Sequence, residues 1–250
     1  MLNIPAYLDR IHYSGSTDPT AETLRALHRA HMLSAPFENL DIGLGREIVC
    51  DETLFLKKVI QRRRGGFCYE LNGAFAALLR ELGFQVTLLS ARVPRPDGTQ
   101  SPEFDHLVLR VDLDEPRLVD VGFGDSFVEP LHLQVGLDQP QGTRRFRIVN
   151  ESGWLHMEMA EPKQDYRRQF SFTLQPRQLA EFAPMCRYHQ TSPESSFTQK
   201  KICSMATPDG RITLTDGKLI VTRNGQREET AVTSEQAWQS ALKQHFGIEL

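Results

Sequence analysis

The sequence predicts an α+β fold in which helices come first, strands follow and a smaller mixed segment closes the chain. Three observations carry that reading. Apolar residues recur at helical spacing through the first third. Runs of β-branched and apolar residues with partial period-two alternation fill the middle. Hairpin signals followed by one capped helical segment occupy the end. The length of 250 residues suits one or two domains, and 40% apolar with 24% charged residues is enough for a packed core.

In order along the chain, Pro19 sits just inside the start of TAETLRALHRAHML, where Ala21, Leu24 and Leu27 recur at helical spacing. Asp51 is placed to cap DETLFLKKVIQRRR, which is expected to run to Gly65-Gly66. A third helix opens near Cys68, carries Leu71, Phe75, Leu78 and Leu82 on one stripe, and stops at Gly83. FQVTLLSARV, FDHLVLRVDL and RLVDVGF then read as strands, as do FRIVN, WLHMEMA and YRRQFSFTL. A helix is expected from about Pro176 to Cys186. Pro208-Asp209-Gly210 and Asp216-Gly217 mark hairpins between ICSMAT, RITLT and KLIVTR. The last helix should be capped by Thr233 with Gln236 and stopped by Gly247.

Several function classes drop out at once. The longest stretch without Lys, Arg, Asp or Glu is the ten residues Leu82 to Ala91, too short to span a bilayer. The start, MLNIPAYLDRIHY, lacks the basic head and apolar core of a signal peptide. A net charge of −3 gives no pull toward nucleic acid or acidic membrane. Cys50, Cys68, Cys186 and Cys203 have neither CxxC spacing nor the density of a disulfide scaffold, so reduced thiols in the cytoplasm are expected.

The strongest local signal is Arg64-Gly65-Gly66-Phe67-Cys68-Tyr69-Glu70-Leu71-Asn72-Gly73. Two glycines permit a tight turn, and the thiol then falls in the first turn of a helix, where free amide N–H groups favour a thiolate. A nucleophilic cysteine needs a base, and the base needs an orienting group. His106 lies inside a strand pattern, and Asp120 sits between Val119 and Val121 in another; both are polar misfits that can satisfy each other.

RGGFCYELNG, His106 in FDHLVLRV and Asp120 in LVDVGFG together resemble the arylamine N-acetyltransferase family. YLDRIHYSG, Ala35-Pro36-Phe37-Glu38-Asn39-Leu40 and TSPESSF resemble it too, so the likeness runs from about Tyr7 to Phe197. The resemblance implies a helical part over 1–83, a β-barrel-like part over 84–198 and a small α/β lid over 199–250, with a cysteine-protease-like core. It implies a catalytic triad of Cys68, His106 and Asp120, and ping-pong transfer of an acetyl group from acetyl-CoA to an arylamine or arylhydrazine, a reaction of xenobiotic metabolism. By the same likeness Phe37, Tyr69, Val93, Phe123 and Phe197 line the acceptor pocket. Gly122 and Gly124 lie along the pantetheine arm, and Arg64 with Glu38 forms a structural ion pair. The residue before His106 is Asp105, where the family commonly has threonine or another small residue.

No metal is expected. His28 and His31, and Cys186 with His189, have ligand-like spacing but nothing that completes a set. Arg62-Arg63-Arg64 and Arg144, Arg145 and Arg147 could meet CoA phosphates, although such clusters are commonly solvated faces. Two other readings of the same triad are a cysteine hydrolase or amidase and an amide-forming acyltransferase with another acyl donor.

Overall fold

A computed structural model describes residues 2–250. The first helix, α1 (Ile4–Arg10), was not anticipated because it is two turns long; Asn3 caps it by accepting from the Ala6 amide. α2 (Ala21–Met32) is capped by Thr20 and buries Leu24, Leu27, His28 and His31. After the short strand β1 (Phe37–Glu38) come α3 (Leu40–Gly43), α4 (Glu52–Leu56) and α5 (Cys68–Glu81).

The helix that starts at Asp51 does not run on to the glycines. Past Leu56 it widens into a π-helical turn over Lys57–Gln61, and the chain leaves through Arg63 at φ +48°. The widened turn puts Lys58 and Arg64 against the same buried carboxylate, Asp41, at 2.8 and 3.2 Å. A regular helix pattern cannot foresee that tertiary demand.

The middle of the chain forms one antiparallel sheet of eight strands in the order β5-β4-β3-β2-β9-β8-β7-β6, curled into a nearly closed barrel. Its strands are β2 (Gln85–Arg92), β3 (His106–Asp112), β4 (Arg117–Val119), β5 (Leu131–His132), β6 (Gln139–Gln141), β7 (Arg144–Glu151), β8 (Trp154–Ala160) and β9 (Arg167–Phe172). Alternation on β3 splits two cores. Leu107, Leu109 and Val111 join the helices, whereas Val108 points into the barrel with Phe127, Phe146, Phe170 and Phe172.

The helix expected to begin near Pro176 starts later, as a single 3₁₀ turn over Leu179–Phe182, and continues as α6 (Ala183–Thr191). One unforeseen turn, α7 (Ser196–Gln199), follows, with Ser195 as its cap. The last sheet has the order β1-β10-β11-β12-β13, built from β10 (Ile202–Thr207), β11 (Gly210–Thr215), β12 (Lys218–Arg223) and β13 (Gln226–Ala231). β13 escapes sequence reading because all its residues are exposed and none alternates with an apolar partner. α8 (Glu235–Phe246) packs Trp238, Leu242 and Phe246 against this sheet; its cap is Ser234, one residue after the Thr233 expected.

β1 is two residues long and joins distant parts of the chain. Phe37 and Glu38 pair with Ser204 and Cys203 of β10, and on the other side Phe37 bridges Gly66. The Glu38 amide donates to the Gly66 carbonyl at 2.9 Å. A Cβ on Gly65 would lie 1.8 Å from the Pro36 carbonyl oxygen, so the glycine is required for this close approach.

Candidate active site

Cys68 is the first helical residue of α5 and is 4% exposed. The preceding residue, Phe67, has no capping side chain. Glu70 replaces that function by reaching back to accept from the Phe67 amide at 3.1 Å. Glu70 also belongs to a buried charge cluster under the cysteine turn. Lys58 meets Asp41 and Glu70 at 2.8 Å each, and Arg64 meets Glu38 at 2.8 Å. Three acids share two cations in a site closed to water. Burial therefore pushes Glu70 up to about 7, with Lys58 opposing and Glu38 reinforcing the shift.

The helix start alone does not produce a thiolate. Burial pushes the Cys68 thiol well above its ordinary value. The amides of Leu107 and Tyr69 pull it back, and the carboxylates of Asp105 and Asp120 raise it further. Desolvation outweighs the first-turn amides, so a cation beside the sulfur is needed to hold its charge.

His106 opens β3 and lines the same cleft as Cys68. Its Nε2 lies 2.7 Å from Asp120 Oδ2. A carboxylate accepts only, so Nε2 carries the hydrogen and Nδ1 is the basic nitrogen. Phe123 and Phe170 pack on the ring with centroids at 5.1 and 5.3 Å, which fixes its plane.

Asp120 follows the last residue of β4 and is fully buried. Besides His106, its Oδ1 accepts from Asn72 Nδ2 at 2.8 Å and from the Gly122 amide at 2.9 Å. These donors compensate a charge that burial would otherwise make costly. Asn72, one helical turn after Cys68, also donates to the Leu107 carbonyl at 2.7 Å and accepts from the Val121 amide at 2.9 Å. A single amide side chain thus ties the cysteine helix, the histidine strand and the aspartate loop together. Sequence reading passed over it, although a polar residue four positions from Cys68 in an apolar helix was the available signal.

His28 was weighed only as a metal ligand, and its surroundings differ. Burial lowers it to about 4, so it is neutral. Nδ1 donates to the Val128 carbonyl at 2.9 Å, which leaves Nε2 to accept from the Asp120 amide at 3.3 Å. His31 packs between Tyr7 and Phe75. Among the described residues no group of three or more His, Cys, Asp or Glu side chains is placed to hold a metal.

The cleft has a volume of about 580 Å³, within the range of small-molecule sites. Phe37, Val93, Phe123, Phe197 and Gly122 line it together with Cys68 and His106. Tyr69 does not. It is fully buried behind the cleft, donating its hydroxyl to the Phe104 carbonyl at 2.7 Å and packing on Phe67 and Phe182. Its side chain points away from Cys68 because successive helical residues face about 100° apart. Gly124 is also outside the lining and packs on the Phe37 ring. Gly122 lies where a Cβ would come within 2.8 Å of Cys68 Cα and Asn72 Nδ2, so its first effect is to let this loop close on the cysteine turn.

Asp105, His189 and Ser195 line the cleft as well. Several members of the basic clusters pair elsewhere: Arg144 with Asp125 and Glu161, Arg147 with Glu158, and Arg63 with Asp9. Among the described residues no helix is long and apolar enough to cross a membrane.

Comparison with known proteins agrees with this geometry. A family model described as N-acetyltransferase matches residues 20–250. The arylamine N-acetyltransferase pineal gland isozyme NAT-3 of Gallus gallus is 35% identical over all of this chain and 95% of its own length. The solved arylamine N-acetyltransferase of Salmonella typhimurium superposes with a TM-score of 0.93 at 33% identity, covering 98% of this chain and 90% of that one. The Mycobacterium marinum arylamine N-acetyltransferase solved in complex with CoA gives 0.92 at 31% identity, covering 98% and 93%.

Proposed function

Since the chain belongs to the arylamine N-acetyltransferase family, we propose that it moves an acetyl group from acetyl-CoA to aromatic amines and hydrazines through an acetyl-Cys68 thioester. The observation that carries this reading is the buried His106–Asp120 contact of 2.7 Å in the cleft that Cys68 lines. The CoA bound to the Mycobacterium marinum relative supports acetyl-CoA as the donor substrate. The four unpaired cysteines support a reducing compartment, the cytoplasm.

In the first half-reaction His106 Nδ1 takes the Cys68 proton, and the imidazolium holds the thiolate that desolvation alone would forbid. The sulfur attacks the thioester carbonyl, the bond to the CoA sulfur breaks, and His106 returns the proton to that sulfur. Exchange of one thioester for another is close to balanced, so no other energy source enters. In the second half-reaction the lone pair of a neutral aromatic amine attacks the acetyl carbon. His106 takes the amine proton and gives it back to the Cys68 sulfur as the C–S bond breaks. Asp120 keeps Nε2 protonated throughout and stabilises the imidazolium. Phe37, Val93, Phe123 and Phe197 shelter the thioester from water and present flat apolar surface to an aromatic ring.

The test follows free CoA from purified protein and acetyl-CoA, with and without an aromatic amine. Steady release only with acceptor, after at most one equivalent without it, is the expected result. Acceptor-independent turnover would instead identify a hydrolase.

A further inference from the structure

Building on that acyltransfer reading, we propose that Asp105, fixed by His189, is a specificity residue that selects acceptors by charge: the cleft takes aromatic amines bearing a cationic or hydrogen-donating substituent and rejects aryl carboxylates. His189 Nε2 donates to the Asp105 backbone carbonyl at 3.3 Å and lies 3.2 Å from its Oδ1, while its Nδ1 lies 3.2 Å from Ser195 Oγ. Phe197 packs on the ring edge-to-face with centroids 5.1 Å apart. His189 is buried and so pinned from both ends and one face. Asp105 is held at its backbone carbonyl with its carboxylate beside the His189 ring, although its side chain is 15% exposed and the residue lines the cleft. The contact uses Oδ1, and among the described residues no donor meets Oδ2. One carboxylate oxygen is therefore left for a ligand, beside the apolar walls that would hold an aromatic ring.

The remaining charges in the cleft point the same way. Asp97 and Glu194 also line it, and among the described residues Arg95 is the one arginine or lysine that does. Three carboxylates against one guanidinium repel an anion and attract a cation, and more strongly in a half-closed cleft than in water. Asp105 lines the same cleft as Cys68, and its charge bears on that sulfur. Like-charge contact is an effective device for excluding a competitor of the same shape.

The test uses acceptors of one shape and three charges: 4-aminobenzylamine, 4-methylaniline and 4-aminobenzoate. Pairs compete for the acetylated enzyme in one vessel, so the product ratio reports the second half-reaction and cancels the acylation step. The wild-type protein should prefer the ammonium compound over the carboxylate by about tenfold or more, with the neutral compound between. Asp105→Asn should shrink that ratio about fivefold, and His189→Leu should shrink it less, because the carboxylate stays but loses its anchor. If Asp105→Asn does not fold, the wild-type ratio must still narrow as KCl is raised toward about 0.5 M. Equal use of the charged isosteres by the wild-type protein, or a ratio unmoved in Asp105→Asn, overturns the proposal. Absence of CoA release with all three acceptors would instead overturn the functional reading beneath it.

Discussion

Two histidine–carboxylate pairs face one cleft, and they are built differently. In His106–Asp120 the carboxylate is fully buried and each oxygen accepts from a fixed donor: His106 on one, Asn72 and Gly122 on the other. In His189–Asp105 the histidine is the more buried partner, and the carboxylate keeps an oxygen that no donor among the described residues meets. The same residue types are therefore suited to opposite tasks. A saturated carboxylate can only orient and stabilise its imidazole, whereas an unsaturated one can meet a ligand.

The largest effect expected from breaking this contrast is at Cys68, which lines the same cleft. Cys68→Ser should reduce acetyl transfer to background while circular dichroism and melting temperature stay close to wild type. Measurable turnover would place the nucleophile elsewhere. Next comes Asp120→Asn, which lets the imidazole adopt the wrong tautomer and should lower kcat about 10³- to 10⁴-fold. Asp105→Asn, by contrast, should cost a neutral acceptor less than about tenfold, since it leaves the imidazole of His106 untouched. Comparable losses in the two variants would erase the distinction between the pairs.

Asn72→Ala removes a donor to Asp120 and the tie to the Leu107 carbonyl, and should lower kcat about 10- to 100-fold. Alkylation of Cys68 by iodoacetamide should slow in parallel, because the thiolate depends on a correctly held His106. An unchanged alkylation rate would confine Asn72 to a packing role.

The smallest effect concerns stability against pH. Burial raises Glu70 from 4.5 to about 7, so its contribution is complete below about pH 4.5 and is lost as pH rises through about 7. His28 is lowered from 6.5 to about 4, so its contribution is complete above pH 6.5 and is lost as pH falls toward about 4. Between pH 7 and 5 the two oppose each other. Glu70→Gln removes the opposing member, and its melting temperature should fall more steeply than wild type on acidification from pH 7.5 to 5. The difference approaches one proton, about 1.4 kcal/mol per pH unit. Parallel melting curves for the two proteins would refute this assignment.

The proposed nucleophile and its partners stand out in the sequence because each breaks a local pattern. Cys68 follows two glycines at a helix start, and His106 and Asp120 interrupt apolar strands. What stayed hidden depends on contacts across many positions. Asn72 gains its meaning from residues 35 and 48 positions away, and His189 from Asp105, 84 positions away. Tyr69 was assigned to the cleft by likeness, and only packing shows that its ring lies behind the cysteine. The α+β segregation was legible in the change of apolar period. The π-helical turn at Lys57 and the exposed strand β13 were not, because one answers to buried carboxylates and the other to backbone pairing alone.

The two-residue strand β1 has a consequence for how the protein opens. Hydrogen bonding runs from the Gly66 carbonyl to the Glu38 amide, and the Asn39 amide then donates to the carbonyl of Ile202, the first residue of β10 in the C-terminal sheet. Amide protons around the cysteine turn should therefore exchange with solvent in step with those of β10, as one cooperative unit. A cut or frayed C-terminal sheet would reach the nucleophile as a loss of exchange protection before any change at the thiol itself.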